Sequence, residues 1–303
     1  MRFFARLDRR FPAAQEPFDT LVTTEWLGEN LDAPNLVILD CSVLIEPKEW
    51  GFREVSGRAR YEAGHIPSAG FADLMGNLSD GESEHRFAMP SPDQFAAAMG
   101  APGVGDDTHV VLYDADGMGW AARVWWMLRW IGFDRAALLD GGLKAWTEAG
   151  LPLSAEPVSR PARQLTAAVR PALIADRDEV LAATGDESVT IIDSLPEAHY
   201  RGEMTLYARP GHIPGAVNVS VFSLFDETGR YRSRDELEWL FDMSRGARAI
   251  TYCGGGIAAS ANAFIMTRLG FSNVAVYAAS LQEWAADPAN PLETGPGSRK
   301  DRP

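Results

Sequence analysis

The sequence predicts an α/β protein built from two copies of one unit, each a mainly parallel sheet with helices on both faces. Short aliphatic runs alternate with segments of helical period, a pattern typical of parallel sheets covered by helices. The same succession of runs occurs twice in the same order, which indicates an internal duplication. With 303 residues, the chain has the length of about two domains of ~150 residues each.

Four elements recur in each half: an aliphatic strand ending in aspartate, a Gly-His-Ile-Pro element, a second apolar strand with a long helix behind it, and a turn into a last helix. The paired segments are 36–40 and 189–193, 64–67 and 211–214, 109–114 and 248–253, and 139–146 and 277–284. We expect the long helices to stop at Gly132 and Gly270, because glycine readily takes the left-handed conformation that ends a helix. We predict a first domain over residues 16–150, a proline-rich linker over 151–171 and a second domain over 172–288.

Charge and cysteine content exclude several classes of function. The formal net charge of −14 opposes binding to nucleic acid or to an anionic membrane, since both require a basic surface. Cys41 and Cys253 are the two cysteines, and neither has a C-x-x-C partner, so we expect no disulfide framework and no structural zinc. The charged N-terminus lacks the apolar core of a secretory signal, and the longest apolar run is too short to cross a bilayer. We therefore predict a cytoplasmic protein.

The most informative local feature is Cys253, which follows an apolar strand and precedes three glycines and a helix-forming stretch. Glycines allow the backbone to turn tightly, so that successive N–H groups point at one atom. The positive end of the following helix also favours an anion at that place. We predict that amides of Gly254, Gly255, Gly256, Ile257, Ala258 and Ala259 surround Cys253 and favour its thiolate, which is the nucleophilic form. The first copy has Asp114 at the matching position, and we expect it to hold a turn and cap a helix.

Taken together, these motifs resemble the tandem-domain rhodaneses, the family of thiosulfate and 3-mercaptopyruvate sulfurtransferases. The resemblance spans about residues 20–285 and is carried by the two Gly-His-Ile-Pro elements, the Tyr113-Asp114 loop leading to 123–127, the turn at 140–142 and the loop 253–258. It implies two rhodanese-like domains, of which the first is inactive and the second holds the catalytic Cys253.

The resemblance also implies a two-step reaction without metal or organic cofactor. Cys253 would take the outer sulfur of a small anionic donor, thiosulfate or 3-mercaptopyruvate, as a persulfide. A thiol, a thioredoxin-like protein or cyanide would then remove that sulfur, and such a double displacement gives ping-pong kinetics.

Two departures from the family pattern concern the donor. Thiosulfate-preferring members place arginine and lysine directly after the cysteine, where this chain has Gly254 and Gly255. The mercaptopyruvate branch holds the substrate carboxylate with arginines before Gly-His-Ile-Pro, and His199 stands where the first of them is usual. We expect Arg201 or Arg209 to hold the anion instead, because the planar guanidinium matches carboxylate and thiosulfonate oxygens.

Two other functions compete with sulfur transfer. A cysteine phosphatase or arsenate reductase needs arginine six residues after the cysteine, where this chain has Ala259. A non-catalytic rhodanese-like regulatory or binding module would have no use for an intact thiol on three glycines.

Several further residues are expected to have structural roles. His65, His212, Asp40 and Asp193 occur in both copies, including the one without a thiol, so we expect them to fix turns. We expect Cys41 to be a buried spare thiol and Ser260 to cap the helix after the active loop.

Overall fold

The aliphatic runs form strands and the segments of helical period form helices, in a computed structural model that describes residues 19–48, 51–115, 117 and 119–297. Residues 16–18, where the first domain is predicted to start, lie outside this part of the chain. Across the described ranges, no helix combines the length and the apolar character that a membrane span requires.

The first domain contains one parallel sheet and a separate hairpin. Its elements are β1 (Leu21–Val22), α1 (Thr24–Asn30), β2 (Leu36–Asp40), β3 (Val43–Pro47), β4 (Phe52–Ser56), α2 (Arg58–Ala63), β5 (Gly70–Phe71), α3 (Pro92–Gly100), β6 (His109–Tyr113), α4 (Trp120–Trp130), β7 (Ala136–Leu139) and α5 (Gly142–Glu148). The sheet order is β1-β7-β6-β2-β5, with all neighbours parallel. The central strands β2 and β6 are buried almost throughout, as expected where helices cover both faces.

The second domain repeats this plan. Its elements are β8 (Ile174–Ala175), α6 (Arg177–Ala183), β9 (Val189–Asp193), α7 (Glu197–Tyr200), β10 (Val217–Asn218), α8 (Arg234–Glu238), β11 (Arg248–Tyr252), α9 (Ile257–Arg268), β12 (Val274–Tyr277) and α10 (Ser280–Trp284). The sheet order is β10-β9-β11-β12-β8, and all neighbours are again parallel. The predicted duplication and the predicted α/β class are therefore confirmed.

The antiparallel hairpin β3–β4 belongs to the first domain and was not predicted from the sequence. Its strands are only partly buried, and charged residues such as Glu46 and Arg53 interrupt the apolar alternation that would have indicated them. The hairpin brings Ile45, Phe52 and Glu54 to the second domain, where they line a cavity.

The two domains meet along α4 and α9, which pack against each other. The rings of Trp125 on α4 and Phe264 on α9 meet edge to face, with 4.8 Å between their centroids. One cluster of buried apolar side chains extends through both domains, so their hydrophobic cores are continuous across the interface. The first domain therefore packs directly behind the helix that follows Cys253.

The segment between the domains is extended and lies against the first domain. Arg163 and Ala168 donate their backbone N–H groups to Gly100 and Ile131 of that domain, and the Arg160 guanidinium donates to the Leu36 and Ser68 carbonyls. These bonds hold the segment to the surface that it crosses.

The residues that recur in both copies make the same contacts in each. His65 and His212 place Nδ1 2.8 and 2.7 Å from the carbonyls of Tyr61 and Tyr200 and stack on those tyrosine rings. Each histidine thus fastens the Gly-His-Ile-Pro segment to the helical turn before it, a structural role as predicted.

The aspartates that end the first strands also match their prediction. Asp40 accepts the Ser42 amide at 2.9 Å, and Asp193 accepts the Leu195 amide at 2.8 Å, so each carboxylate fixes the turn after its strand. The long helices end as expected before Gly132 and Gly270, which have φ of 92° and 89°.

Candidate active site

Cys253 stands between the end of β11 and the start of α9, at the carboxyl edge of the parallel sheet. Its Sγ accepts a hydrogen bond from the Gly256 amide at 3.1 Å. The first-turn amides of α9 have no carbonyl partner within the helix, so the positive end of a 12-residue helix faces the sulfur. This part of the loop is arranged to stabilise negative charge on Cys253.

Each loop glycine has its own steric reason. Gly256 has φ of 83°, and a Cβ there would come 2.8 Å from the Ala278 carbonyl oxygen. A Cβ on Gly254 would overlap the hydroxyl of Tyr207, while one on Gly255 would come 3.3 Å from Nε2 of Gln282. Only Gly256 of the three needs the left-handed conformation, and Gly254 is required by the close approach of Tyr207.

The turn before α10 holds the loop from its other side. The Cys253 amide donates to Ser280 Oγ at 3.1 Å, and Ser280 Oγ donates to the Tyr277 carbonyl at 2.7 Å. Leu281 and Gln282 donate their amides to the carbonyls of Cys253 and Gly254, each at 3.1 Å. Ser280 has φ of 56° at a position where the first copy has Gly142 with φ of 54°. Its hydroxyl therefore supplies a contact to Cys253 that glycine cannot make.

Cys253 is only 3% exposed, but it lines a cavity of about 330 Å³ between the domains. The surface of this cavity is mainly apolar and aromatic. The first domain contributes Ile45, Phe52, Glu54, Arg86, Phe87 and Trp120, and the second contributes Leu195, Tyr207, Cys253, Gly254, Gly255, Ile257, Ala258 and Gln282. The thiol is thus shielded from bulk water and accessible to a small molecule in the cavity.

Among the residues lining the cavity, Arg86 is the only cationic side chain, and it forms an ion pair with Glu54. Gln282 fixes the backbone of Arg86 across the interface, since it donates to the Arg86 carbonyl at 2.9 Å and accepts the Arg86 amide at 3.1 Å. Burial, and then the charge of Cys253, raise the pKa of Tyr207, so its hydroxyl stays protonated near neutral pH.

The expectation that Arg201 or Arg209 faces the cysteine is corrected by the structure, which places neither of them on the cavity wall. Arg209 donates to four backbone carbonyls, those of Trp284, Ala285, Asp287 and Asn290, at 2.6 to 3.2 Å. Its guanidinium donors are therefore occupied by carbonyls at the end of α10 and in the chain after it.

Arg201 pairs with Glu197 one helical turn earlier and lines a different groove. His199 is also absent from the cavity wall, and burial lowers its pKa, which favours the neutral ring over an anion-binding cation.

Three further expectations concern single residues. Ser260 does not cap α9, since its hydroxyl lies inside the helix and donates to the Gly256 carbonyl at 2.7 Å. Cys41 is fully buried, and burial raises its pKa well above the usual value, in keeping with an unreactive thiol. Asp114 accepts the amides of Gly117 and Ala121 at 2.8 and 2.9 Å, so it holds the turn and the start of α4 as predicted.

The cavity residues of the first domain were missed by sequence reasoning. Phe87 has φ of 56°, and its ring lies 5.3 Å from that of Trp120. Nothing in the local sequence marks either residue as a neighbour of Cys253, more than 130 positions away. Over the described ranges, no group of three or more His, Cys, Asp or Glu side chains is placed to hold a metal ion.

Comparison with known proteins adds to this geometry. The rhodanese-like domain profile matches residues 23–149 and again residues 176–287. The probable 3-mercaptopyruvate sulfurtransferase of Pseudomonas aeruginosa is 35% identical over 285 residues, covering 91% of this chain and 98% of that protein. The thiosulfate sulfurtransferase of Gallus gallus is 34% identical, covering 90% of this chain and 95% of that protein.

A solved structure is similar in three dimensions as well. The crystal structure of SseA, a 3-mercaptopyruvate sulfotransferase from Escherichia coli, superposes with a TM-score of 0.76 at 33% identity. The match covers 86% of this chain and 98% of that one. Two family matches, relatives of nearly full length and a shared fold confirm the resemblance, and the chain belongs to the rhodanese family.

Proposed function

We propose that this protein is a sulfurtransferase that moves one sulfur atom from a small donor to a thiol through a persulfide on Cys253. The observation that carries this proposal is the position of Sγ, 3.1 Å from the Gly256 amide at the start of α9, on the wall of a cavity between the domains. A negative charge on Sγ at this place is stabilised by the amide and by the positive end of α9.

In the first step, the Cys253 thiolate attacks the outer sulfur of the donor. With thiosulfate, the S–S bond of the donor breaks, sulfite leaves with the electron pair, and the persulfide anion Cys253–S–S⁻ remains. With 3-mercaptopyruvate, the C–S bond breaks and its electron pair goes to carbon as the enolate of pyruvate. The enolate takes up the proton that the donor thiol gives up, so pyruvate leaves and the same persulfide anion remains. In the second step, an acceptor thiolate attacks the outer sulfur and restores the Cys253 thiolate.

The cavity favours 3-mercaptopyruvate over thiosulfate as the donor. The positions after Cys253 are glycines, and the charge of Arg86 is balanced by Glu54, so the cavity offers little side-chain charge to a dianion. A monoanionic carboxylate requires less compensation. Relatives of both names match this chain, and we propose the mercaptopyruvate type on the residues of the cavity. A thiol or thioredoxin-like acceptor and a cytoplasmic location complete the proposal.

The test is sulfur loading of the intact protein, followed by mass spectrometry. The reduced protein is incubated with 3-mercaptopyruvate or with thiosulfate and examined for one added sulfur atom. We expect the adduct in the wild type and in Cys41→Ser, and its loss in Cys253→Ser. An adduct that follows Cys41, or no adduct with either donor, would contradict sulfur transfer and favour a non-catalytic module.

A further inference from the structure

Arg123 is a buried cation from the first domain that reaches the loop of the second. It lies on α4, is 1% exposed, and is among the largest fully buried side chains of the protein. Its Nη1 stands 3.0 Å from the position that a Cβ on Gly256 would occupy. Gly256 is the residue whose amide binds Cys253 Sγ, so the guanidinium lies directly behind the active loop.

Most donors of this guanidinium have no acceptor. Nη2 donates to the Phe87 carbonyl at 3.0 Å, whereas Nε and Nη1 are buried without a hydrogen-bond partner. Within the described ranges, Arg123 has no carboxylate at ion-pair distance. The carbonyl that accepts this one hydrogen bond belongs to Phe87, whose backbone has a left-handed φ of 56°. An arrangement of this kind is unfavourable unless a negative charge lies nearby, since a buried unpaired cation is costly.

The ionisable group that interacts with this guanidinium is Cys253. Burial lowers the pKa of Arg123 to about 10, and the interaction with Cys253 acts in the opposite direction. At neutral pH the guanidinium is therefore charged, and an anionic sulfur on Cys253 would stabilise that charge.

We propose that Arg123 is a positioning residue of the active site, whose guanidinium acts through the Gly256 turn as the counter-charge of the sulfur anion on Cys253. This inference rests on the proposed sulfur transfer for its biological meaning. It assigns a chemical task to the first domain, which has Asp114 where the second domain has Cys253. Side-chain cations are absent from the loop itself, and Arg123 supplies a positive charge from behind it.

The experiment measures the ionisation of Cys253 without any sulfur donor. In a Cys41→Ser background, the rate of alkylation by iodoacetamide is followed as a function of pH. Removing an opposite charge within a few ångströms moves a titration by about one pH unit or more. We expect Arg123→Met to move the alkylation midpoint upward by that amount, so that alkylation below the midpoint is roughly tenfold slower. Arg123→Lys, which keeps the charge, should recover part of this difference.

Arg129→Met is the matched control. Arg129 lies on the same helix and pairs with Asp134 at 3.0 Å, so its loss affects α4 without touching the active loop. Its midpoint should equal that of the parent protein. An unmoved midpoint in folded Arg123→Met, or an equal movement in Arg129→Met, would overturn the proposal.

A second measurement keeps the proposal testable if Arg123→Met does not fold. In the Cys41→Ser protein, the alkylation rate with anionic iodoacetate is divided by the rate with neutral iodoacetamide and compared with the same ratio for glutathione. The net charge of −14 should lower this ratio, whereas a cation behind the sulfur should raise it. A ratio below that of glutathione would overturn the proposal. Because neither measurement uses a sulfur donor, a protein that fails to accept sulfur can still show the effect of Arg123.

Discussion

Replacing Asp193 with asparagine should make the protein less sensitive to pH in a range that the structure defines. The carboxyl is fully buried, Oδ1 accepts the Leu195 amide, and Oδ2 has no hydrogen-bond partner. Burial raises its pKa from the usual 3.8 to about 7. In the first copy, the corresponding aspartate, Asp40, has a cation beside it, since Arg60 Nη2 lies 3.5 Å from Asp40 Oδ2. The corresponding residue of the second copy is His199, which precedes Tyr200 as Arg60 precedes Tyr61.

The sign and size of the effect follow from linkage. Because the folded state holds its proton more tightly, the contribution of Asp193 to stability is fully present below pH ~4 and is lost as the pH rises through about 7. Each pH unit between the two pKa values corresponds to about 1.4 kcal/mol, which gives a loss of roughly 4 kcal/mol as an order of magnitude. Asparagine stays neutral and keeps an oxygen for the Leu195 amide, so Asp193→Asn should not show this loss.

The assay is urea unfolding of the two proteins at fixed pH values from 5 to 8, followed by tryptophan fluorescence and by circular dichroism. The advantage of Asp193→Asn over the wild type should grow with pH by a few kcal/mol. Asp186→Asn is the control: Asp186 is on the surface, and hydrogen bonds from Ser188 lower its pKa below 3.8. Its titration therefore lies outside the range of the assay, and its difference from the wild type should not change between pH 5 and 8. A difference between Asp193→Asn and wild type that stays constant or shrinks from pH 5 to 8 would refute the reasoning.

Two other substitutions test the steric and anchoring roles of site residues. Gly254→Ala places a methyl group on the Tyr207 hydroxyl, so we expect a stability loss of about 1–3 kcal/mol and at least a tenfold slower sulfur loading of Cys253. Adding Tyr207→Leu to this variant should restore part of the stability and part of the loading rate. If neither recovers, the assigned clash is contradicted. Arg209→Met removes hydrogen bonds to four carbonyls, so it should lower the free energy of unfolding by about 2–4 kcal/mol and leave the KM for the donor unchanged. A raised KM at unchanged stability would instead show that Arg209 binds the anionic donor.

The features that could be predicted from the sequence are those specified by short segments of chain. Strands β2, β6, β9 and β11 are aliphatic runs, and the stops at Gly132 and Gly270 require one residue type at one place. The Cys253 loop belongs to the same class, since a strand, a nucleophile, glycines and a helix follow each other directly.

The features that could not be predicted depend on contacts between distant segments. Arg209 and Arg86 are both arginines near a turn, and nothing in their neighbours shows which one faces the cavity. The chain after α10 returns to Arg209 and fills its donors with carbonyls, whereas the interface places Arg86 beside Gln282, 196 positions away. Likewise, the burial of Arg123 follows from the packing of α4 against α9, which no periodicity of a single helix reveals.

The first copy also has an acidic side chain in this turn. Helices α4 and α9 both begin after a glycine in the left-handed conformation, Gly119 with φ of 95° and Gly256 with φ of 83°. At the same place in front of each helix stands an acidic side chain, Asp114 in the first copy and Cys253 in the second. The Asp114 carboxylate accepts amides at the start of α4, as Sγ accepts the Gly256 amide at the start of α9.

A carboxylate is ionised without assistance but cannot carry a sulfur atom. A thiol in the same turn gains the stabilisation that the amides give to an anion and, in addition, a nucleophilic lone pair. The difference between the copies is therefore one of reactivity on a shared electrostatic framework, since only the second copy has a thiol at this position.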